Sequence, residues 1–90
     1  MADTIRGKVT KIVDGDTFNM TVTHVGTHNS NKYNDEEIVR ISGIDAPEIG
    51  TQAGKKAKKN LEDKLSKKEV RVTVEARDTY GRVVGTYKIV

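Results

Sequence analysis

Carboxylate and guanidinium groups recur in three separated segments of this chain. Residues 13–17 read V-D-G-D-T, residues 39–48 read V-R-I-S-G-I-D-A-P-E, and residues 78–82 read D-T-Y-G-R. Together they supply Asp14, Asp16, Asp45 and Glu48 as oxygen donors, and Arg40 and Arg82 as planar cations. Carboxylate oxygens are what hard cations take, calcium first and magnesium or manganese after it. A guanidinium fork matches two oxygens of a phosphate and keeps its charge at any working pH. Neither motif is specific alone, since D-G-D is ordinary turn chemistry and D-A-P-E can open a helix. Their co-occurrence, each beside a strand-like run, is the signal.

Two carboxylates about 4 Å apart repel by roughly 4 kcal/mol at an effective dielectric near 20. A converging set therefore implies raised pKa values or a bound cation. Zinc fits poorly: cysteine is absent, and His24 and His28 stand four apart in a polar stretch where solvation is the simpler reading. An EF-hand fits no better, because D-G-D-T lacks the alternating acidic positions and the closing glutamate. Arg40 interrupts an apolar run, so it must be ion-paired or reach a pocket. Two arginines with three carboxylates suffice for in-line attack on a phosphodiester. A metal would polarise a phosphoryl oxygen, a carboxylate would align or deprotonate water, and the guanidiniums would stabilise the transition-state charge.

The elements that must position these groups are short strands. Residues 4–13 carry Ile5, Val9, Ile12 and Val13, with Gly7 as a candidate bulge. Residues 14–15 make a turn, and 17–23 alternate as a second strand. The polar stretch 24–37 predicts a long exposed loop or extended hairpin tip. Residues 37–43 form a third strand, with Ile38 and Arg40 on one face and Val39 and Ile41 on the other. Gly43 and Pro47 end it. In 51–67, Ala53, Ala57, Leu61 and Leu65 recur at four-residue spacing, which predicts the single helix, capped by Thr51. Residues 70–75 and 82–90 are the fourth and fifth strands, joined by a tight turn at 78–81. Strand, strand, strand, helix, strand, strand is the order of an OB-type barrel, a mainly β fold with one helix between strands three and four. Closure also removes edges that five short strands would otherwise leave open.

Ninety residues make one domain, and 34% apolar with 4% aromatic content gives it a modest core of Val and Ile with Phe18, Tyr33, Tyr80 and Tyr87. No run reaches the roughly 20 apolar residues of a membrane-spanning helix, and no signal-peptide core opens the chain. The compartment stays open: exported if a leader has been removed, cytoplasmic otherwise. Residues 1–50 hold 5 Lys+Arg against 8 Asp+Glu, and residues 51–90 hold 11 against 5. An acidic half beside a basic half suits a polyanion held next to a cation site. The lysines of the helix, taken alone, are adequately explained as a solvated face.

The order and spacing of D-G-D-T, the R-x-x-x-x-D-x-P-E string and the Y-G-R turn resemble the staphylococcal nuclease (thermonuclease-like) family over about residues 4–90. The resemblance implies an OB barrel and a calcium-dependent phosphodiesterase acting on DNA, single-stranded or denatured, and on RNA. It further implies cleavage between phosphorus and the 5′ oxygen, which leaves 3′-phosphate ends. It makes Asp16, Asp45 and the backbone carbonyl of Ala46 metal ligands, and Arg40, Glu48 and Arg82 catalytic, with Glu48 as base or water-orienting group. Tyr80 would flank the nucleotide, while Asp14 and Thr17 support the ligand turn. Ala46 stands where the family's best-known member has threonine, a change a carbonyl ligand should tolerate. The resemblance leads one to expect a monomeric domain without the family's C-terminal helices. The rival reading is an OB module that binds nucleic acid or a protein without cutting. The chain's poverty in stacking aromatics counts against it.

Overall fold

A computed structural model describes residues 2–44 and 50–90. In it the chain closes a five-stranded barrel. The strands are β1 (Asp3–Asp14), β2 (Thr17–Val25), β3 (Glu36–Ile41), β4 (Glu69–Arg77) and β5 (Val83–Ile89), with one helix, α1 (Gln52–Leu65), between β3 and β4. Around the barrel the order is β1-β2-β3-β5-β4, and β4 pairs back onto β1. Every junction is antiparallel except β3–β5, which is parallel because α1 and β4 intervene.

Alternation explains the core. Ile5, Val9 and Ile12 of β1, Phe18 and Met20 of β2, Val39 and Ile41 of β3, Val70, Val72 and Val74 of β4 and Val83 of β5 all point inward. Leu61 and Leu65 of α1 close the barrel against β1. Tyr87 meets Phe18 edge to face, with centroids 6.1 Å apart. Tyr80, expected in this core, is instead 85% exposed. It sits on the turn before β5, where no inward position exists.

Gly7 does mark a register shift between β1 and β2, and the reason is close approach: a Cβ there would meet the Thr21 carbonyl oxygen. Thr51 caps α1, its hydroxyl accepting the Gly54 N–H at 2.9 Å. The buried helix face begins at Gly54 and not at Ala53, which is exposed. The helix ends at Leu65, two residues short of the expected limit, because Lys67 turns the chain with a φ of 62°.

The loop between β2 and β3 is shorter than the expected 24–37, since both strands extend into it. What remains, 26–35, is tied down by Asp3. That carboxylate accepts the Ser30 N–H at 2.8 Å, the Asn31 N–H at 3.0 Å and the Tyr33 hydroxyl at 2.7 Å. These bonds hold Asp3 below the ordinary carboxylate range, the Ser30 N–H most of all.

Candidate active site

Three strands meet where β1 turns into β2 and β3 ends. Asp14 folds the turn, its Oδ1 accepting the Asp16 N–H at 3.0 Å. Asp16 is only 8% exposed, and the Thr17 hydroxyl donates to its Oδ1 at 2.9 Å. Thr17 is in turn the cross-strand partner of Arg40. The Arg40 Nη2 stands 3.6 Å from Asp16 Oδ2, an ion pair with room between its members. Arg40 projects from the outer face of β3, opposite to Val39 and Ile41, as the alternation predicts. Asp14 and Thr17 thus both hydrogen-bond Asp16 directly.

Burial, helped by the neighbouring Asp16 carboxylate, pushes the Asp14 carboxyl up. Crowding of this kind is what a hard cation relieves, and every donor at the turn is an oxygen. The residue types therefore fit a divalent ion of the calcium or magnesium kind. Among the described residues, no three His, Cys, Asp or Glu side chains converge to hold an ion. Asp45, Ala46 and Glu48, the remaining expected ligands and base, lie outside the described residues, as does Pro47.

Arg82 precedes β5 on the strand beside β3, and Val39 pairs with Val83 and Arg40 with Val84. Alternation with the buried Val83 puts Arg82 on the same outer face as Arg40. A residue given no role in the sequence reading, Asp78, fixes it. Asp78 Oδ2 accepts the Arg82 Nε–H at 2.6 Å, while its Oδ1 accepts the Arg82 N–H at 2.8 Å and the Tyr80 N–H at 3.0 Å. Burial would raise the Asp78 carboxyl, but these donors outweigh it and hold the group below its ordinary value. The terminal nitrogens of Arg82 make no hydrogen bond among the described residues, so the fork is oriented yet unspent. Tyr80 lies 5.4 Å under the guanidinium. The signal for Asp78 was present in the sequence as D-x-x-x-R spacing around a glycine turn.

A cavity of about 510 Å³ lies elsewhere, between the 26–35 loop and β4, lined by Asp3, Asn31, Tyr33 and Arg77 among others. Two of its charged groups serve the scaffold: Asp3 holds the loop, and Arg77 holds Glu37, whose two oxygens it contacts at 3.0 and 3.1 Å. That cavity is a seam of the scaffold rather than a reaction site.

The family model described as staphylococcal nuclease homologue matches residues 38–89, which include Arg40 and Arg82. The chain belongs to the staphylococcal nuclease homologue family. Among its relatives in this family, the micrococcal nuclease of Shigella flexneri is 40% identical over 80 residues, 89% of this chain and 40% of that protein. A protein of Haemophilus influenzae described as an uncharacterized endonuclease is 36% identical over 77 residues, 86% of this chain and 38% of its own. Protein ParB of Escherichia coli is 33% identical over 82 residues, 91% of this chain and 41% of that protein. The chain thus spans about two fifths of the length of these relatives. The closed five-stranded barrel with its single helix between β3 and β4 is consistent with an OB fold.

Proposed function

We propose that this barrel carries the catalytic centre of a calcium-dependent nuclease that hydrolyses phosphodiester bonds in DNA and RNA and leaves 3′-phosphate ends. The observation that carries the reading is the pairing of a nearly buried, cation-type carboxylate, Asp16, with two arginine forks on one outer face. The Arg82 fork is held through its Nε by Asp78, and its terminal nitrogens make no hydrogen bond among the described residues. The naming of two relatives as nucleases supports the same class.

In this reading, Asp16, Asp45 and the Ala46 carbonyl hold the ion. Bound there, calcium supplies positive charge to the carboxylates and to a phosphoryl oxygen. Arg40 and Arg82 grip the remaining phosphoryl oxygens, with Asp78 preventing Arg82 from rotating away. Glu48 aligns a water and takes its proton as the water oxygen bonds to phosphorus. The bond from phosphorus to the 5′ oxygen breaks, the departing oxygen takes up a proton from solvent, and the phosphate stays on the 3′ side. Arg82 stabilises the charge that builds on the phosphoryl group and the leaving oxygen. Tyr80, exposed beside Arg82, offers a ring to a neighbouring base.

The test is cleavage of heat-denatured DNA by the chain with calcium and then with excess chelator. Calcium-dependent cutting that yields 3′-phosphate ends is expected. A folded sample that binds single-stranded DNA but never cuts it in calcium, magnesium or manganese would sink the proposal.

A further inference from the structure

A second basic surface lies on the opposite stretch of the barrel. His24 pairs with Arg6 across β1–β2, Arg6 with Arg71 across β1–β4, and Arg71 with Lys88 across β4–β5. One rung across four adjacent strands therefore reads His, Arg, Arg, Lys. It spans three interstrand spacings, roughly 14 Å. Like charges placed directly opposite one another in a sheet are destabilising. Among the described residues, the one compensating partner on this rung is Glu69, whose Oε2 accepts from Arg6 Nη2 at 2.6 Å and from its Nε at 3.0 Å. Arg71 stands between Arg6 and Lys88 with no acidic partner among the described residues.

The next rung on the same face, two residues along, is Thr4, Thr73 and Thr86, also in register. It lies about 7 Å away. Between the rungs and the end of β2 opens a cavity of about 180 Å³, lined by Thr4, Arg6, His24, Gly26 and Arg71 together with Ile5 and Val25. Cations flanked by hydroxyl donors suit phosphate oxygens, which both groups can contact without reading a base. The surface is remote from the carboxylate turn: a rise of about 3.3 Å per residue puts His24 roughly 25 Å along β2 from Asp16.

We propose that this rung is a second phosphate-binding surface for the nucleic-acid strand, centred on Arg71 and Lys88 and separate from the cleavage site. The inference rests on the nuclease reading for the identity of the polyanion. A strand gripped at both places passes around the barrel, within the span of about 4–16 nucleotides that single OB folds cover. Cleavage of long strands then gains from a contact that short substrates cannot reach.

Binding of a 16-nucleotide single-stranded DNA, measured in chelator so that nothing is cut, tests this in the parent and in a double variant, Arg71→Gln with Lys88→Gln. A charge-matched control carries Lys11→Gln with Lys32→Gln. The rung variant is expected to lose about tenfold in affinity. Its dependence of log affinity on log salt should flatten by roughly 1.4, the share of two phosphate contacts on a single strand. A 3′,5′-bisphosphate nucleotide, titrated with calcium, should bind it as it binds the parent. Rung-variant affinity and salt slope equal to the parent's, or a loss no larger than the control's, overturns the second surface. In that case calcium-dependent cutting by the parent still decides the nuclease reading independently. A parent that neither binds the 16-mer nor cuts denatured DNA overturns both.

Discussion

Arg77 with Glu37 and Arg82 with Asp78 are both arginine–carboxylate pairs at the ends of β4 and β5, and they are built to opposite ends. Glu37 is 4% exposed and takes one nitrogen of Arg77 on each oxygen, with the Asn34 N–H adding a third bond at 2.9 Å. Arg77 also donates to the Gly81 carbonyl at 2.7 Å and lies 5.6 Å over the Tyr33 ring. That pair engages both terminal nitrogens of Arg77 and both oxygens of Glu37. Asp78 takes only the Nε of Arg82 and spends its other oxygen on backbone N–H groups. One pair locks loop 26–35 and β3 to β4, while the other aims a cation outward. The geometry of the fork, more than the presence of an arginine, separates scaffold from site.

The largest expected effect breaks the open pair. Arg82→Ala should lower cleavage of denatured DNA by about a thousandfold, the scale of losing a transition-state cation. Stability should change little, because Asp78 keeps its backbone donors. Matched cleavage rates and urea melts on the purified variant check this. A loss of activity that merely tracks unfolding would place Arg82 with the scaffold.

Arg77→Ala should do the reverse. It leaves Glu37 enclosed with only Asn34 as donor, and breaking a buried pair from one side costs about 2–4 kcal/mol. Urea denaturation should show that loss, while the folded fraction cuts DNA at the parent's rate per molecule. If Arg77→Ala abolishes cutting in fully folded protein, the contrast between the two pairs fails.

Acid sharpens the contrast further. Burial alone would raise Glu37, but Arg77 and Asn34 together hold it below its ordinary 4.5. The unfolded chain therefore binds a proton at this position before the folded chain does. Glu37 contributes stability above about 4.5 that is lost as pH falls through the lower folded value. Asp3 and Asp78 are lowered as well and act with the same sign. The destabilisation caused by Arg77→Ala should shrink as pH drops below 4.5, because Glu37 becomes neutral in both proteins. Thermal melts of parent and variant from neutral to acid pH measure it, and a constant gap would mean that charge pairing is not what Arg77 contributes.

How far these roles could be read in the sequence depends on whether local order or long-range order sets them. The barrel was legible because inward residues alternate on every strand and one amphipathic run separates β3 from β4. Arg40 stood out because its apolar neighbours gave it nothing to solvate it. The N-cap at Thr51 was legible too, but not the first buried helix position, since a four-residue repeat drifts on a 3.6-residue turn and fits Ala53 as well as Gly54. Loop 26–35 resisted for a different reason. Its order comes from Asp3, 27 residues before Ser30, and no periodicity announces such a bond. Glu37 read as a polar strand boundary because its partner, Arg77, lies 40 residues away. Asp78 announced itself only by its four-residue spacing to Arg82, which an ordinary glycine turn with an Asp at its start shows equally well.

The smallest expected effect concerns the seam that Arg77 borders. The Tyr33 hydroxyl donates to Asp3, and its pKa is pushed up to about 12, by burial first and then by the Asp3 bond and charge. An unfolded chain would ionise this tyrosine near 10, so the folded state loses stability as pH rises from 10 toward 12. Asp3→Asn removes the charge and one acceptor oxygen while leaving Tyr33 partly buried against the core. Spectrophotometric titration of the tyrosines should then show Tyr33 ionising earlier than in the parent but still above 10, since burial remains the largest cause. Cleavage at neutral pH should not change, because the seam touches neither arginine fork of the candidate site. A shift in the titration accompanied by lost cutting would mean that loop 26–35 reaches the chemistry after all.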